Sequence, residues 1–264
     1  MQSLGIFDPL SSSALLLGLS ATRIAVAFLL LPIFSNELVP ALVRNAIFLA
    51  LAVVALVLPP PLDASTLQAV DWMMLFAKEA FVGAAVGLLF GSLLWAFEAA
   101  GQVIDMKVGA TMAQVIDPLS GHQTSLTGAF LGRLASFVFV FSGGLMLLAG
   151  TLVESYALWP VVSLLPSMEP AGVTVFEREF ARLMMLTLLI AAPALVVLFV
   201  IDGVLGLINR YAQQLNVFAL SLSLKAWAAT AVVLVTMGTL VQLLLDDLFG
   251  RGDVVLRTLH RLFG

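Results

Sequence analysis

Apolar residues fall in six long runs, at 14–34, 46–58, 72–97, 129–153, 183–208 and 217–245. An α-helix rises about 1.5 Å per residue, so about twenty apolar residues cross the roughly 30 Å of bilayer hydrocarbon. The pattern predicts an all-α polytopic membrane protein with about six hydrophobic helices, folded as a single integral domain over residues 1–264. The second run is short and bounded by Arg44, Asn45 and three prolines, Pro59 to Pro61. It spans only if the bilayer thins around it, and a re-entrant or protein-buried helix is the alternative.

Two connections are too long to be turns. Residues 98–128 carry Gly101, Gln102, Asp105, Lys107, Gly109, Asp117, Pro118, Gly121, His122 and Gln123, the composition of a helix extension followed by a polar, glycine-punctuated loop. Glu98, Gln102 and Asp105 share one face if that helix continues, a polar stripe that calls for water or a pore unless the helix has simply left the bilayer. Residues 154–182 hold Pro160, Pro166 and Pro170, then Glu177, Arg178, Glu179 and Arg182, which reads as a loop leading into an amphipathic approach to the fifth run. In the tail, 246–264, Val255, Leu256, Leu259, Leu262 and Phe263 oppose Arg257, His260 and Arg261, so a short basic amphipathic helix can lie on headgroups or dock on a partner.

In the third run Gly83, Gly87 and Gly91 recur every four residues and clear one face for another backbone, with packing inside the chain favoured over a dimer seam. Arg23, Lys78, Glu79, Arg133, Asp202 and Lys225 are charges within apolar runs, where each costs a few kcal/mol unless it faces protein, water or an opposite charge. Lys78 and Glu79 are consecutive and point about 100° apart on a helix, which argues against a facing pair and for different neighbours. An antiparallel hairpin of the last two runs brings Asp202 and Lys225 to similar depth. Two readings stay open: contacts that assemble helices, or an ion-coupled secondary transporter working through Asp202, Lys225, Arg133 and Glu79. For the second, Pro32 and Pro193 are only a faint pair of broken-helix marks.

Composition narrows the chemistry. Hydrophobic residues make up 61% and charged residues 11%, far from a soluble domain of this length. No cysteine is present, which removes disulfides, thiolate nucleophiles and cysteine metal sites. Two histidines, His122 and His260, do not make a paired-histidine metal site, and neither a Gly-x-Ser-x-Gly elbow nor a phosphate-cradling Gly-x-x-x-x-Gly-Lys loop occurs. The chain therefore reads as a non-enzyme without cofactor or metal. A net charge of −4 offers no basic surface for nucleic acid. Arg251, Arg257 and Arg261 place the C-terminus on the cytoplasmic side.

Two polar blocks carry a family resemblance. The first is Lys78, Glu79, Ala80, Phe81, Val82, Gly83 and Gly87, then Gly101, Gln102, Gly109, Met112, Asp117, Pro118, Ser120 and Gly121; the second runs from Asn209, Arg210 and Tyr211 through Gln214, Asn216 and Phe218 to Lys225. Together they resemble the FliR/YscT/SctT family over nearly the whole chain, with a lean to the secretion-injectisome branch over the flagellar one. Gln213 and Ser223 stand where that family often has proline. The resemblance implies a single-copy inner-membrane subunit of a type III secretion export gate, multi-pass, with the last two helices forming a hairpin. Its implied partners are the multi-copy R/P-type and S/Q-type membrane subunits, the switch and nonamer export proteins, unfolded exported polypeptides, and lipid. It also implies a plug-type loop at about 106–128, with Gly109, Met112, Val115, Ile116, Asp117, Pro118 and Gly121 as its gating residues. Lys78, Glu79, Gln102, Asn209, Arg210, Gln214, Asn216 and Lys225 are the expected assembly or pore-entrance residues.

Overall fold

A computed structural model describes residues 8–35, 39–57, 69–109, 125–161, 173–211 and 217–263. These residues form α1 (Asp8–Leu29), α2 (Ala41–Val57), α3 (Ala69–Val108), α4 (Leu126–Phe141), α5 (Gly144–Leu158), α6 (Val173–Tyr211) and α7 (Val217–Phe263), with a 3₁₀ turn at Pro32–Phe34. No strand occurs among the described residues. Each apolar run is largely helical, the fourth as two helices, and the departures lie in where the helices stop.

The fourth run, expected to be continuous over 129–153, breaks at Ser142 and Gly143. Gly143 adopts φ 89°, a left-handed conformation open to glycine at little cost, and the helix restarts at Gly144. In contrast, α6 continues through Pro193 and α7 continues through the tail, so 246–263 prolongs a 47-residue helix and is not a separate short one. Pro32 opens a 3₁₀ turn while Pro193 lies inside a helix, so the faint pairing of these prolines has no structural counterpart.

Three helices, α3, α6 and α7, are long and apolar enough to cross a membrane, and the broken α4 and α5 raise the number to four if they make one span. The first two runs yield shorter apolar helices at Leu15–Leu29 and Ala41–Val53. At 40, 39 and 47 residues, α3, α6 and α7 extend about 60 to 70 Å, roughly twice the hydrocarbon thickness, so part of each lies beyond that layer or is covered by protein. Burial separates them. In its most apolar window α3 is 72% buried within the chain, against 28% for α6 and 22% for α7.

The chain divides into two compact units. The first comprises Met1–Gly91, Gly143–Glu179 and Phe249–Gly264. Here Phe28, Phe34 and Phe48 cluster, with the Phe28 and Phe34 rings edge to face at 4.8 Å, and Arg44 donates to the Phe34 carbonyl at 3.1 Å. Gly83 and Gly87 face the α1 backbone. A Cβ on Gly83 would collide with the Arg23 carbonyl, and one on Gly87 would lie 2.7 Å from the Ala27 carbonyl oxygen. Two missing side chains thus let α1 and α3 meet backbone to backbone. Gly91 is also buried.

The second unit comprises Ser92–Ser142 and Phe180–Leu248. Its α3 segment meets α4 in the same way, since a Cβ on Gly101 would overlap Gly128 and Thr127 backbone atoms. Gly132 lies one turn on, where an added Cβ would meet the Glu98 side chain at 3.3 Å. The polar stripe of Glu98, Gln102 and Asp105 therefore runs along α4, and not simply into water or a lumen. Small residues on α4 admit it.

Candidate functional site

Within the first unit, charge is gathered where the side chains are sealed from solvent. Arg23 on α1 and Glu79 on α3 have fully buried side chains and form a two-pronged pair, Nε to Oε2 at 2.6 Å and Nη2 to Oε1 at 3.0 Å. The remaining guanidinium donors go to Ser155 Oγ at 3.0 Å and to the Trp159 carbonyl at 2.9 Å, and the Tyr156 ring lies 4.0 Å below the cation. Tyr156 in turn donates its hydroxyl to the Ser20 carbonyl at 2.6 Å. Three helices are tied to one planar cation, whose fork matches a carboxylate and whose spare donors stop the end of α5.

Lys78 belongs to the same cluster. Its ammonium bonds the Pro160 and Val161 carbonyls at 2.9 and 2.7 Å and Glu79 Oε1 at 2.8 Å. The expectation that adjacent Lys78 and Glu79 do not pair is therefore corrected. Directions of the Cβ atoms do diverge, but four methylenes let the ammonium swing back to its neighbour while also reaching the α5 end. Glu79 thus neutralises two cations, and the three main-chain oxygens after α5 are satisfied by side chains from α1 and α3.

Within the second unit a looser cluster forms. Asp202 on α6 accepts from Lys107 on α3, Nζ to Oδ2 at 2.7 Å, and also pairs with Lys225 on α7. The Asp202 side chain is 32% exposed, Lys107 28% and Lys225 14%, so water competes with every contact. Lys107 also lies 4.0 Å over the Phe199 ring. Further along the same helices Arg182 pairs with Asp247. From the first pair to the second the position falls by twenty on α6 and rises by 22 on α7 (202 to 182, and 225 to 247). Twenty helical residues are about 30 Å, the hydrocarbon thickness, and residues 183–201 between the charges of α6 carry none. Asp202 and Lys225 are thus end markers of an apolar stretch.

A third arrangement closes the base of the 110–124 connection. Asp105, one turn before the end of α3, accepts from Ser125 Oγ at 2.6 Å, from the Thr127 amide at 2.9 Å and from Thr127 Oγ1 at 2.5 Å. Ser125 is the N-cap of α4 and its oxygen also accepts from the Gly128 amide at 2.9 Å. A carboxylate at the start of α4 satisfies orphan amides and meets the positive end of the helix dipole. Gly109 ends α3 with φ 89°, and a Cβ there would lie 3.0 Å from Leu222 on α7.

The expected site residues distribute unevenly over these features. Lys78 and Glu79 lie in the sealed cluster, Lys225 in the open one, and Gly109 at the end of α3. Gln102 is exposed beside Glu98, with Nε2 3.5 Å from Oε1, and Asn209 and Arg210 are exposed near the end of α6. Met112, Val115, Ile116, Asp117, Pro118, Gly121, Gln214 and Asn216 fall outside the described residues. Arg133 is exposed on α4, whereas Glu79 and Asp202 sit in clusters that share no member among the described residues. Arg251, one of the three tail arginines that indicate orientation, is 2% exposed and paired with Glu179 at 3.0 Å. The set of Asp105 with Ser125 and Thr127 is not evident from the polar stripe; Ser-x-Thr before an apolar run is its capping signal in the sequence. No group of three or more His, Asp or Glu that would hold a metal occurs among the described residues.

Residues 14–250 match the family described as bacterial export proteins, family 1. The chain belongs to that family. Among its relatives, Yop proteins translocation protein T of Yersinia pestis is 34% identical over 219 residues, covering 81% of this chain and 82% of that protein. Surface presentation of antigens protein SpaR of Salmonella typhimurium is 34% identical over 218 residues, covering 82% and 80%. Flagellar biosynthetic protein FliR of Bacillus subtilis is 29% identical over 246 residues, covering 92% and 93%. Family membership thus extends over both described units and all seven helices.

Proposed function

We propose that this chain is a structural and gating subunit of a type III secretion export apparatus in the bacterial inner membrane, where it helps to form and close the conduit for exported polypeptides. The observation that carries the reading is the family match over 14–250, joined to relatives named for protein translocation and flagellar biosynthesis. Identity of 34% to the translocation protein T and to SpaR, against 29% to the flagellar relative, favours the secretion branch. The partners in this reading are the small multi-copy membrane subunits of the gate. The outward faces of α6 and α7, with Phe199, Val200, Leu234 and Val235 exposed, suit such neighbours or lipid, and the ion pairs between these helices support a helical hairpin.

Closure is assigned to the connection at about 106–128. Its apolar Met112, Val115 and Ile116 suit obstruction of a lumen, and Gly109, Asp117, Pro118 and Gly121 suit the turns that hold them there. An ion-coupled carrier is disfavoured because Glu79 is neutralised by Arg23 and Lys78, and Asp202 by Lys107 and Lys225, which leaves no carboxylate of the proposed relay without a cation. The test removes residues 112–116 in cells making the whole complex. Permeability to small solutes is expected to rise with assembly unchanged; normal assembly with unchanged permeability contradicts the plug.

A further inference from the structure

We propose that Asp105 is a positioning residue that clamps together the two feet of the 110–124 connection. The inference rests on the plug reading for its consequence and on described residues alone for its geometry. The outgoing foot is the last turn of α3 and the incoming foot is the first turn of α4. A single carboxylate joins them by three hydrogen bonds of 2.5 to 2.9 Å, two from side chains and one from the backbone of α4. Because the acceptor is charged and one donor is an orphan amide of a helix start, the contact is stronger than a pair of neutral side chains would make.

Two further observations make the clamp rigid in place of a loose tether. One turn before Asp105, Gly101 lets α3 touch the α4 backbone at Thr127 and Gly128, so the helices have no room to slide together and no side chain to cushion a shift. Two residues after Asp105, Lys107 points to a different face of the same turn and holds Asp202 at 2.7 Å. The last turn of α3 is therefore fastened to α4 by one side chain and to α6 by another. The chain leaves that turn at Gly109, whose positive φ ends the helix. Sixteen residues later it returns to Ser125, the residue whose hydroxyl Asp105 holds. The separation of the feet is set by Asp105, whatever the connection between them does.

The chain has no native cysteine, which permits a direct distance test. Nitroxide labels at Met106→Cys on α3 and Phe130→Cys on α4, both exposed positions, are read by pulsed EPR in the purified complex, in the parent and in Asp105→Ala and Asp105→Asn. A narrow distance distribution is expected in the parent. In Asp105→Ala a separated population about tenfold larger is expected, as loss of a charged cap implies, with Asp105→Asn between the two because one amide oxygen still accepts. An unchanged distribution in Asp105→Ala overturns the clamp. Should Asp105→Ala not assemble, Asp105→Asn and the pair Ser125→Ala with Thr127→Val take its place, and unchanged distributions in both overturn it equally. Small-solute permeability of cells carrying the same variants separates the two claims: a separated population with raised permeability supports both, whereas a separated population with parental permeability supports the clamp and counts against the plug.

Discussion

The two charge clusters use the same chemistry under opposite solvent conditions. Arg23, Glu79 and Lys78 are sealed, with both cations reaching carbonyl or hydroxyl partners besides their shared carboxylate, and three helices converge on them. Lys107, Asp202 and Lys225 stand partly in the open, with two cations on one carboxylate. Burial is what makes the first cluster decisive. A buried pair is often no better than well-fitted apolar packing, yet breaking one half strands a charge, whereas an exposed pair loses little when cut. The sealed cluster therefore acts as a fixed joint of the first unit, and the open one as an adjustable contact at the ends of apolar stretches.

The largest effect is expected from Glu79→Ala, which leaves Arg23 and Lys78 facing each other in the interior. The cost is about 3 to 5 kcal/mol, enough to abolish most of the folded yield, read as monodisperse protein after detergent extraction. Replacing the whole cluster, Arg23→Met and Lys78→Met with Glu79→Leu, is expected to recover a large part of that yield. A triple variant as poor as the single one would show that the cluster does more than fill space without a stranded charge. Next comes Gly101→Leu, whose side chain has no room against Thr127 and Gly128, with a destabilisation of about 1 to 3 kcal/mol or a displaced α4, measured as a lowered melting temperature. Unchanged melting would place the close approach of α3 and α4 in doubt.

Lys225→Glu sets a second carboxylate against Asp202 and leaves Lys107 as the shared counter-ion, so complex yield is expected to fall by a smaller margin. Asp202→Asn has the smallest effect, within about 1 kcal/mol and reduced further by salt, because all three side chains are reached by water. A loss for Asp202→Asn as large as that for Glu79→Ala would erase the distinction between the clusters.

The all-α class was legible in residue order, since the apolar runs are helical, but only three helices, or four with the bent pair, are long and apolar enough to cross a membrane. What periodicity does not carry is where a helix ends when the polar signal is weak. Ser142 and Gly143 interrupt an otherwise uniform apolar run, and only the positive φ of Gly143 makes the break evident. The opposite error arises at the tail, where Asp246, Asp247 and Arg251 read as a change of element although the helix continues and Asp247 and Arg251 pair with α6. The glycines at 83 and 87 were legible as a close-packing face, because the absence of a side chain is itself the signal; that α1 fills it is a tertiary fact. Side-chain reach explains the Lys78 and Glu79 pair, since helical angles describe Cβ directions and not where a long ammonium goes. Asp105 is the instructive omission: as part of a polar stripe it suggested solvent, yet its partners lie twenty residues on at the start of another helix.

The central claim is that this chain works as one subunit of a membrane assembly. Co-expression with the small membrane subunits of the gate, followed by mass measurement of the detergent-purified material, tests that most directly. The account predicts a single defined complex holding one copy of this chain together with several copies of its partners. Recovery of a stable, well-folded monomer in the presence of those partners would contradict it.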